Sequence, residues 1–431
     1  MLAENVESAP AAVSDSAHRA SFFRQSGWLM VASIVGGVFM WAVHFLGKSV
    51  GPKEYGAFIA YLSVAMCIPT MPLQMVLAHQ TAKALATDRA RELAGMIRVI
   101  WLVTLLLWLV SCVGVLLAQH TILERWGISN PVGLWMTVGV VLFCLWQPMF
   151  MGVLQGQQNF LWLGWSMMSN GIGRLTVAAL AVLAFSAGSA GMMAGALFGM
   201  ALSTVMAAWC ARSLWRGPSL PFDWRNLLRE VIPPMLGFGA FQFLFTADTM
   251  FVKSYFTADE VGFYGSAGTL SRALMWLVGP LAAVMFPRIV HSAAKAEKTD
   301  LMGIVLLGTA VLAIAGALGL SVLGPFVVKI VYGEGWVKVA SSVLPWYAGA
   351  MVPLALANVL INNLLARSDF RVVPWLCTLA AGYAFALTRF HDSLVSVLKT
   401  IGVAGLLALL ICTWFTWGSR SPKSEVRSPT G

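Results

Sequence analysis

Stretches of 18 or more predominantly apolar residues recur along nearly the whole chain, and this recurrence decides what the chain can fold into. Roughly 20 helical residues rising 1.5 Å each cross a hydrocarbon core about 30 Å thick, so every such stretch can span a bilayer. Within lipid no water satisfies a backbone N–H or C=O, which leaves the helix as the structure for segments of this length. Composition agrees: charged residues make up 11% of the chain and mean hydropathy is +0.79. Soluble domains carry about 25% charged residues.

Apolar spans and the polar breaks between them predict helices at roughly 27–46, 57–78, 97–118, 133–153, 161–186, 189–210, 234–253, 263–286, 301–323, 343–365, 372–389 and 393–416. The expected fold is therefore all-α: a polytopic membrane protein of about 12 transmembrane helices. With the N-terminus inside, 18 Lys and Arg fall on cytoplasmic segments, 7 fall on the opposite side, and Arg174, Arg272 and Lys399 lie within spans. That bias sets the orientation, with both termini in the cytoplasm. The formal charge of +10 is scattered singly between apolar runs, so it reads as a topology signal and not as a nucleic-acid surface.

The longest polar interruption, 211–232, divides the spans six and six. The expected organisation is a cytoplasmic tail (1–26), an N-lobe (27–210), a cytoplasmic linker (211–232), a C-lobe (233–416) and a second cytoplasmic tail (417–431). The first tail lacks the basic n-region and cleavage site of a secretory signal. An internal repeat supports the division: KEYGAF at 53–58 and DEVGFY at 259–264 are offset by 206 residues, each between a lobe's first two helices. At an offset of 210, Phe160 and Trp165 are echoed by Phe370 and Trp375. Because six is even, the two lobes share one orientation and are related by a pseudo-two-fold axis along the membrane normal.

The six cysteines all fall within apolar spans without a C-x-x-C pair, and the six histidines are dispersed. Neither set forms a metal site, no P-loop, HExxH or GxSxG motif is present, and no cofactor is expected. The chain reads as a non-enzyme.

Several segments together resemble the oligosaccharide and polysaccharide flippases of the multidrug/oligosaccharidyl-lipid/polysaccharide exporter superfamily. They are VGPKEYGAFIAYLS leading into the second helix, GVLQGQQNF closing the fourth, Asp248 with ADEVGFYGSAGTLSRAL into the eighth, FPRIV at its end, and VYGEGW before the tenth. The resemblance implies two six-helix bundles around a cavity that opens alternately to either side. It also implies movement of an undecaprenyl-diphosphate-linked oligosaccharide or polysaccharide precursor from the cytoplasmic to the periplasmic leaflet of a bacterial inner membrane. Membrane lipids and the glycan polymerase and glycosyltransferases of the same pathway would then be its partners. Lipid II flippases carry a basic residue in the first helix, where this chain has His44 as its ionisable group.

Charge within a span costs roughly 2.5–3.5 kcal/mol, which singles out the intramembrane ionisable residues. Arg174 and Arg272 fall at mid-depth, one per lobe, and a guanidinium suits bidentate phosphate contact. Both are expected at the diphosphate, with Asn170 one turn before Arg174. Asn358, Asn362, Gln147 and Gln242 are candidates for sugar hydroxyls, with interhelical hydrogen bonding as the competing explanation for each. Asp248 is a candidate for ion coupling, and pairing with Arg272 at comparable depth competes with that role. Pro69 and Pro72 in the second helix and Pro280 in the eighth are candidate gating bends.

Two rival functions share parts of this pattern. A drug exporter of the same fold would favour acidic cavity groups over two arginines. A membrane glycan polymerase or ligase would need a sizeable outer loop, and the longest one expected here runs from Pro325 to about Ser342. A scaffold or receptor would not need midplane charge.

Overall fold

The structure is a computed structural model that describes residues 27–128, 130–275 and 301–418. Among these residues every regular element is helical. Helix α1 (27–42) passes through a short 3-10 turn, Val43–Leu46, into α2 (Gly47–Met66). The chain continues through α3 (Thr70–Ala86), α4 (Ala90–Arg125), α5 (Val132–Gly156), α6 (Phe160–Phe185), α7 (Gly188–Cys210) and the single turn α8 (Arg212–Trp215). Next come α9 (Trp224–Thr246), α10 (Asp248–Tyr255), α11 (258–275), α12 (Leu301–Tyr332), α13 (Glu334–Ala366), α14 (Val373–Arg389) and α15 (Leu394–Thr413).

Among the described residues 9 helices are long and apolar enough to cross a membrane, or 10 if the bent pair α9 and α10 forms one span. One of the 9, Gly27–Ala86, is 60 residues long, which at 1.5 Å per residue is enough chain for two crossings. Helix α4 exposes Leu106, Leu107, Val110 and Leu117, a face that lipid accommodates and water penalises. The protein is a polytopic α-helical membrane protein.

Three predicted boundaries are corrected. The helix expected over 57–78 is two helices, because α2 stops at Met66 and α3 starts at Thr70. Pro72 then occupies the first turn of α3, where a missing N–H costs nothing because that donor has no partner within the helix. Pro69 lies in the break itself, so the gating expectation for this pair concerns a break between helices. The helix expected over 234–253 breaks at Ala247, where α9 and α10 bend by 41°. Finally, the outer loop expected from Pro325 to Ser342 is almost wholly helix, since α12 runs to Tyr332 and only Gly333 separates it from α13. Gly333 has φ of 98°, a conformation that an L side chain resists, and it turns the chain in one residue. Pro280 lies outside the described residues.

The chain separates into two compact units. One comprises Met1–Val50, Thr70–Glu124 and Ile128–Arg225, and the other Gly51–Pro69, Arg125–Gly127 and Asn226–Gly431. Segment 51–69, which falls within the expected N-lobe, thus packs with the second unit.

In the first unit small residues let helices approach closely. Gly152 and Gly156 of α5 lie against the Gln74 and Ala78 carbonyls of α3, each of which a Cβ would meet at 2.5 Å. Here too Arg98 of α4 fixes the start of the 211–232 segment. Its Nε donates to the Trp215 carbonyl at 2.8 Å, Nη1 to Ser219 Oγ at 3.3 Å and Nη2 to the Gly217 carbonyl, while Leu220 N donates to the Arg91 carbonyl at 3.0 Å. In the second unit α12 packs on α13, and α13 on α15.

Candidate functional site

The break at Ala247 places Asp248 in the first turn of α10, the end at which the helix dipole favours a carboxylate. Asp248 is 1% exposed and Arg272 of α11 is 9% exposed. Arg272 Nη2 donates to Asp248 Oδ1 at 2.7 Å and to Thr249 Oγ1 at 3.1 Å, and its Nε donates to the Phe245 carbonyl at 3.1 Å. The second carboxylate oxygen, Oδ2, accepts from Tyr264 Oη at 2.7 Å and from Tyr347 Oη. The guanidinium carbon also lies 5.5 Å from the Tyr347 ring centroid and 5.8 Å from that of Phe245. Gly268 permits the Tyr347 contact, since a Cβ there would come within 3.0 Å of the phenol ring.

This arrangement is a balanced ion pair whose carboxylate has both oxygens occupied, and it joins α10, α11 and α13. Arg272 was expected at the diphosphate and Asp248 at ion coupling. The geometry instead directs two of the guanidinium nitrogens into the protein and surrounds the carboxylate with three donors. Removing one member of a buried pair leaves the other uncompensated and costs about 3–5 kcal/mol. Sequence reasoning missed Tyr264 and Tyr347. Tyr264 carried a signal, because it stands eight residues before Arg272 and thus two turns away on the same face. Tyr347 carried none.

In the first unit, Ser166, Asn170 and Arg174 follow one another at four-residue spacing along α6 and share a face. Arg174 is 8% exposed. Its charge acts on His44, in the turn after α1, and on Cys144 of α5. Helix α7 lies close against this stripe: a Cβ on Gly199 would meet Arg174 Cβ at 2.9 Å and also press on the Asn170 carbonyl. Asn170 Oδ1 and Ser166 Oγ are buried without a hydrogen-bond partner among the described residues. A buried acceptor left unmet costs about 1–3 kcal/mol, so such a pair of atoms on the face that carries Arg174 calls for an explanation.

The remaining predicted polar residues are engaged within the protein. Gln147 Nε2 donates to Ser203 Oγ at 2.8 Å and ties α5 to α7. Gln242 Nε2 donates to the Met66 carbonyl at 3.1 Å, where α2 has run out of helical donors. Asn362 Nδ2 donates back to Asn358, to its carbonyl at 2.8 Å and its Oδ1 at 3.1 Å, within α13. Among the described residues no cluster of His, Cys, Asp or Glu could hold a metal ion.

A family described as polysaccharide biosynthesis protein matches residues 21–292, more than half of the chain. No curated protein matches the chain by sequence. Among solved structures, the lipid II flippase MurJ in an inward closed conformation aligns with a TM-score of 0.68 at 13% identity, covering 91% of this chain and 87% of that one. An inward-facing multidrug resistance MATE family transporter of the MOP superfamily aligns with a TM-score of 0.67 at 13% identity, covering 89% and 93%. An outward-facing MATE transporter aligns with a TM-score of 0.56 at 14% identity, covering 92% and 94%. At such identities the likeness establishes the fold, and the family match adds the lineage: this chain belongs to the polysaccharide biosynthesis protein family and has the membrane fold shared by MATE transporters and MurJ.

Proposed function

We propose that the protein moves an undecaprenyl-diphosphate-linked oligosaccharide from the inner to the outer leaflet of the bacterial cytoplasmic membrane by alternating access. The observation that carries this reading is the polar stripe of buried Ser166, Asn170 with its buried Oδ1 and buried Arg174 on a membrane-spanning helix of a polysaccharide biosynthesis protein. A diphosphate offers oxygens to the Arg174 guanidinium, and adjacent sugar hydroxyls offer donors to Asn170 Oδ1 and Ser166 Oγ. Arg174 takes the role once shared between two arginines, because Arg272 is held by Asp248. The prenyl chain stays in lipid while the glycan head travels within the protein, and the glycosyltransferases and polymerase of the pathway supply and consume the cargo. The related MurJ is named as a lipid II flippase, which is also a lipid-linked cargo.

The test is complementation in a strain lacking the flippase. A charge-assisted guanidinium to phosphate contact contributes about 1.5–3 kcal/mol, or roughly ten- to a hundredfold in affinity. Arg174→Ala should therefore cut glycan delivery while membrane abundance holds, and Arg174→Lys should rescue only in part because it lacks the planar fork. Full delivery by Arg174→Ala at normal abundance would refute the diphosphate assignment.

A further inference from the structure

Where α7 ends, the first unit gathers two arginines on one tryptophan. Helix α7 stops at Cys210 and the single turn α8 follows at Arg212–Trp215. The Arg212 guanidinium carbon lies 4.7 Å from the Trp209 ring centroid, and that of Arg216 lies 5.8 Å from Trp209 and 5.2 Å from Trp215. Like charges crowded on one indole repel, and an anion beside them relieves the repulsion. The protein supplies none: among the described residues no carboxylate pairs with Arg212 or Arg216, whereas Arg89 has Glu92 and Arg371 has Asp369. Both arginines are exposed, and Trp209 is 58% exposed.

The platform is fixed by the protein itself. Trp215 Nε1 donates to the Ala208 carbonyl at 2.9 Å, and its ring lies 5.8 Å from that of Phe150. Arg212 Nη1 donates to the Trp209 carbonyl at 3.0 Å. Arg98 of α4 holds the Trp215 and Gly217 carbonyls, so the backbone of the turn is tied down while Trp209, Arg212 and Arg216 stay at the surface. A guanidinium stacked on a ring keeps its N–H edges in its own plane, and such edges suit a phosphate. The surface below is apolar. Phe198, Leu202, Val205 and Trp209 recur at spacings of four, three and four along α7, which puts them on one face, and all four are exposed. That face runs along a membrane span and ends under the two arginines, at the depth where tryptophan rings and phospholipid headgroups meet. The distribution of basic residues puts this end on the cytoplasmic side, whose leaflet carries anionic lipids.

We propose that Arg212 and Arg216, stacked on Trp209, hold the phosphate of an anionic phospholipid whose acyl chains lie along Phe198, Leu202 and Val205, as a resident lipid distinct from any transported cargo. Purified full-length protein in detergent should retain one phosphatidylglycerol in native mass spectrometry. Added phosphatidylglycerol should raise its thermal unfolding midpoint by several degrees, and phosphatidylcholine should raise it less. Glycerol 3-phosphate, which offers the phosphate without acyl chains, should give no shift. Arg212→Gln and Arg216→Gln should each raise the half-saturating lipid concentration about fivefold, and the two together should abolish both retention and shift. Lysine at both positions keeps the charge but loses the planar stack, so it should retain the lipid only in part. Arg89→Gln, on the same side of the membrane but paired with Glu92, should leave both readouts unchanged. The shift is read within each variant, so a change in basal stability does not mask it. Retention in the double glutamine variant, equal shifts from the two phospholipids, or full retention in the double lysine variant overturns the site. A shift from glycerol 3-phosphate as large as that from the lipid overturns it too, because the site would then take a soluble anion.

Discussion

Replacing Arg272 with alanine removes a charge-assisted hydrogen bond to Asp248, a bond to Thr249 and a bond to the Phe245 carbonyl, and it leaves a carboxylate with 1% exposure facing only two phenols. The cost should be about 3–5 kcal/mol, the range for an orphaned member of a buried pair. Asp248→Ala should cost a similar amount, since it strands the guanidinium. The double variant removes the charge imbalance, so its loss should be smaller than that of either single change, with a coupling of about 2 kcal/mol or more. Tyr264→Phe deletes one donor to Oδ2 while Tyr347 still serves that oxygen, and should cost about 1 kcal/mol. The assay is thermal unfolding of the purified protein in detergent, followed by loss of the monodisperse chromatographic peak, alongside membrane abundance. A double variant whose loss equals the sum of the two single losses would show that the two residues do not act as a pair. Wild-type stability in Arg272→Ala would show that the buried ion pair is not formed in the membrane.

Two further outcomes test other parts of the description. Arg98→Ala should free the segment after α8, giving faster proteolysis between residues 216 and 223 in inside-out vesicles while thermal stability shifts by only about 1–3 kcal/mol; unchanged cleavage would show that the Arg98 contacts do not restrain it. Reporter fusions at Arg225 should report cytoplasm and fusions at Glu54 and Glu334 the outside, in line with the 18 to 7 distribution of basic residues; an outside signal at Arg225 would overturn the orientation.

The long helices were legible because hydrophobic length is a local property: α4 to α7 and α12 to α15 cover the stretches where apolar runs predicted them. The breaks were harder to read, each for its own reason. Gly333 does in one residue what loops elsewhere do in many, so the polar residues around it looked like a loop although they lie on helix ends. At Ala247 no glycine or proline announces the bend. The nearest sign is Asp248, a carboxylate that a continuous apolar span would not tolerate and that a helix start and a guanidinium do.

The candidate site divides along the same line. That Arg272 and Asp248 lie at comparable depth followed from counting residues along two spans, and pairing was already one of the two explanations offered. Which explanation holds depends on Tyr347, 99 residues from Asp248, and no periodicity within one helix reports that distance. The amides show the converse. Gln147, Gln242 and Asn362 looked like sugar ligands because they were polar in apolar spans, and each donates instead to Ser203, Met66 or Asn358. In a membrane interior an amide finds a protein partner whenever one is in reach, so a residue type alone says little about cargo. Asn170 differs because its oxygen lacks such a partner among the described residues.

Helix α11 carries both structural devices of the second unit on neighbouring faces. Gly262, Gly265 and Thr269 address α2, while Tyr264, Gly268 and Arg272 address Asp248 and Tyr347. At 100° per residue the two stripes are centred about 90° apart, so one side of α11 contacts 51–69 while the other is fastened to α10 and α13. The fastenings differ in kind. The ion pair is buried and charge-assisted, and parting it would strand two charges at a cost of several kcal/mol. The α2 contact consists of close backbone packing, aromatic rings and two hydroxyl bonds, none of which involves a charge. Segment 51–69 ends in a break at Gly51 and another at 67–69, and the described part of α11 is continuous from 258 to 275. One face of α11 is thus held by a charged pair and the other by neutral packing, so a substitution at Gly262 or Gly265 should disturb the α2 contact without stranding a charge.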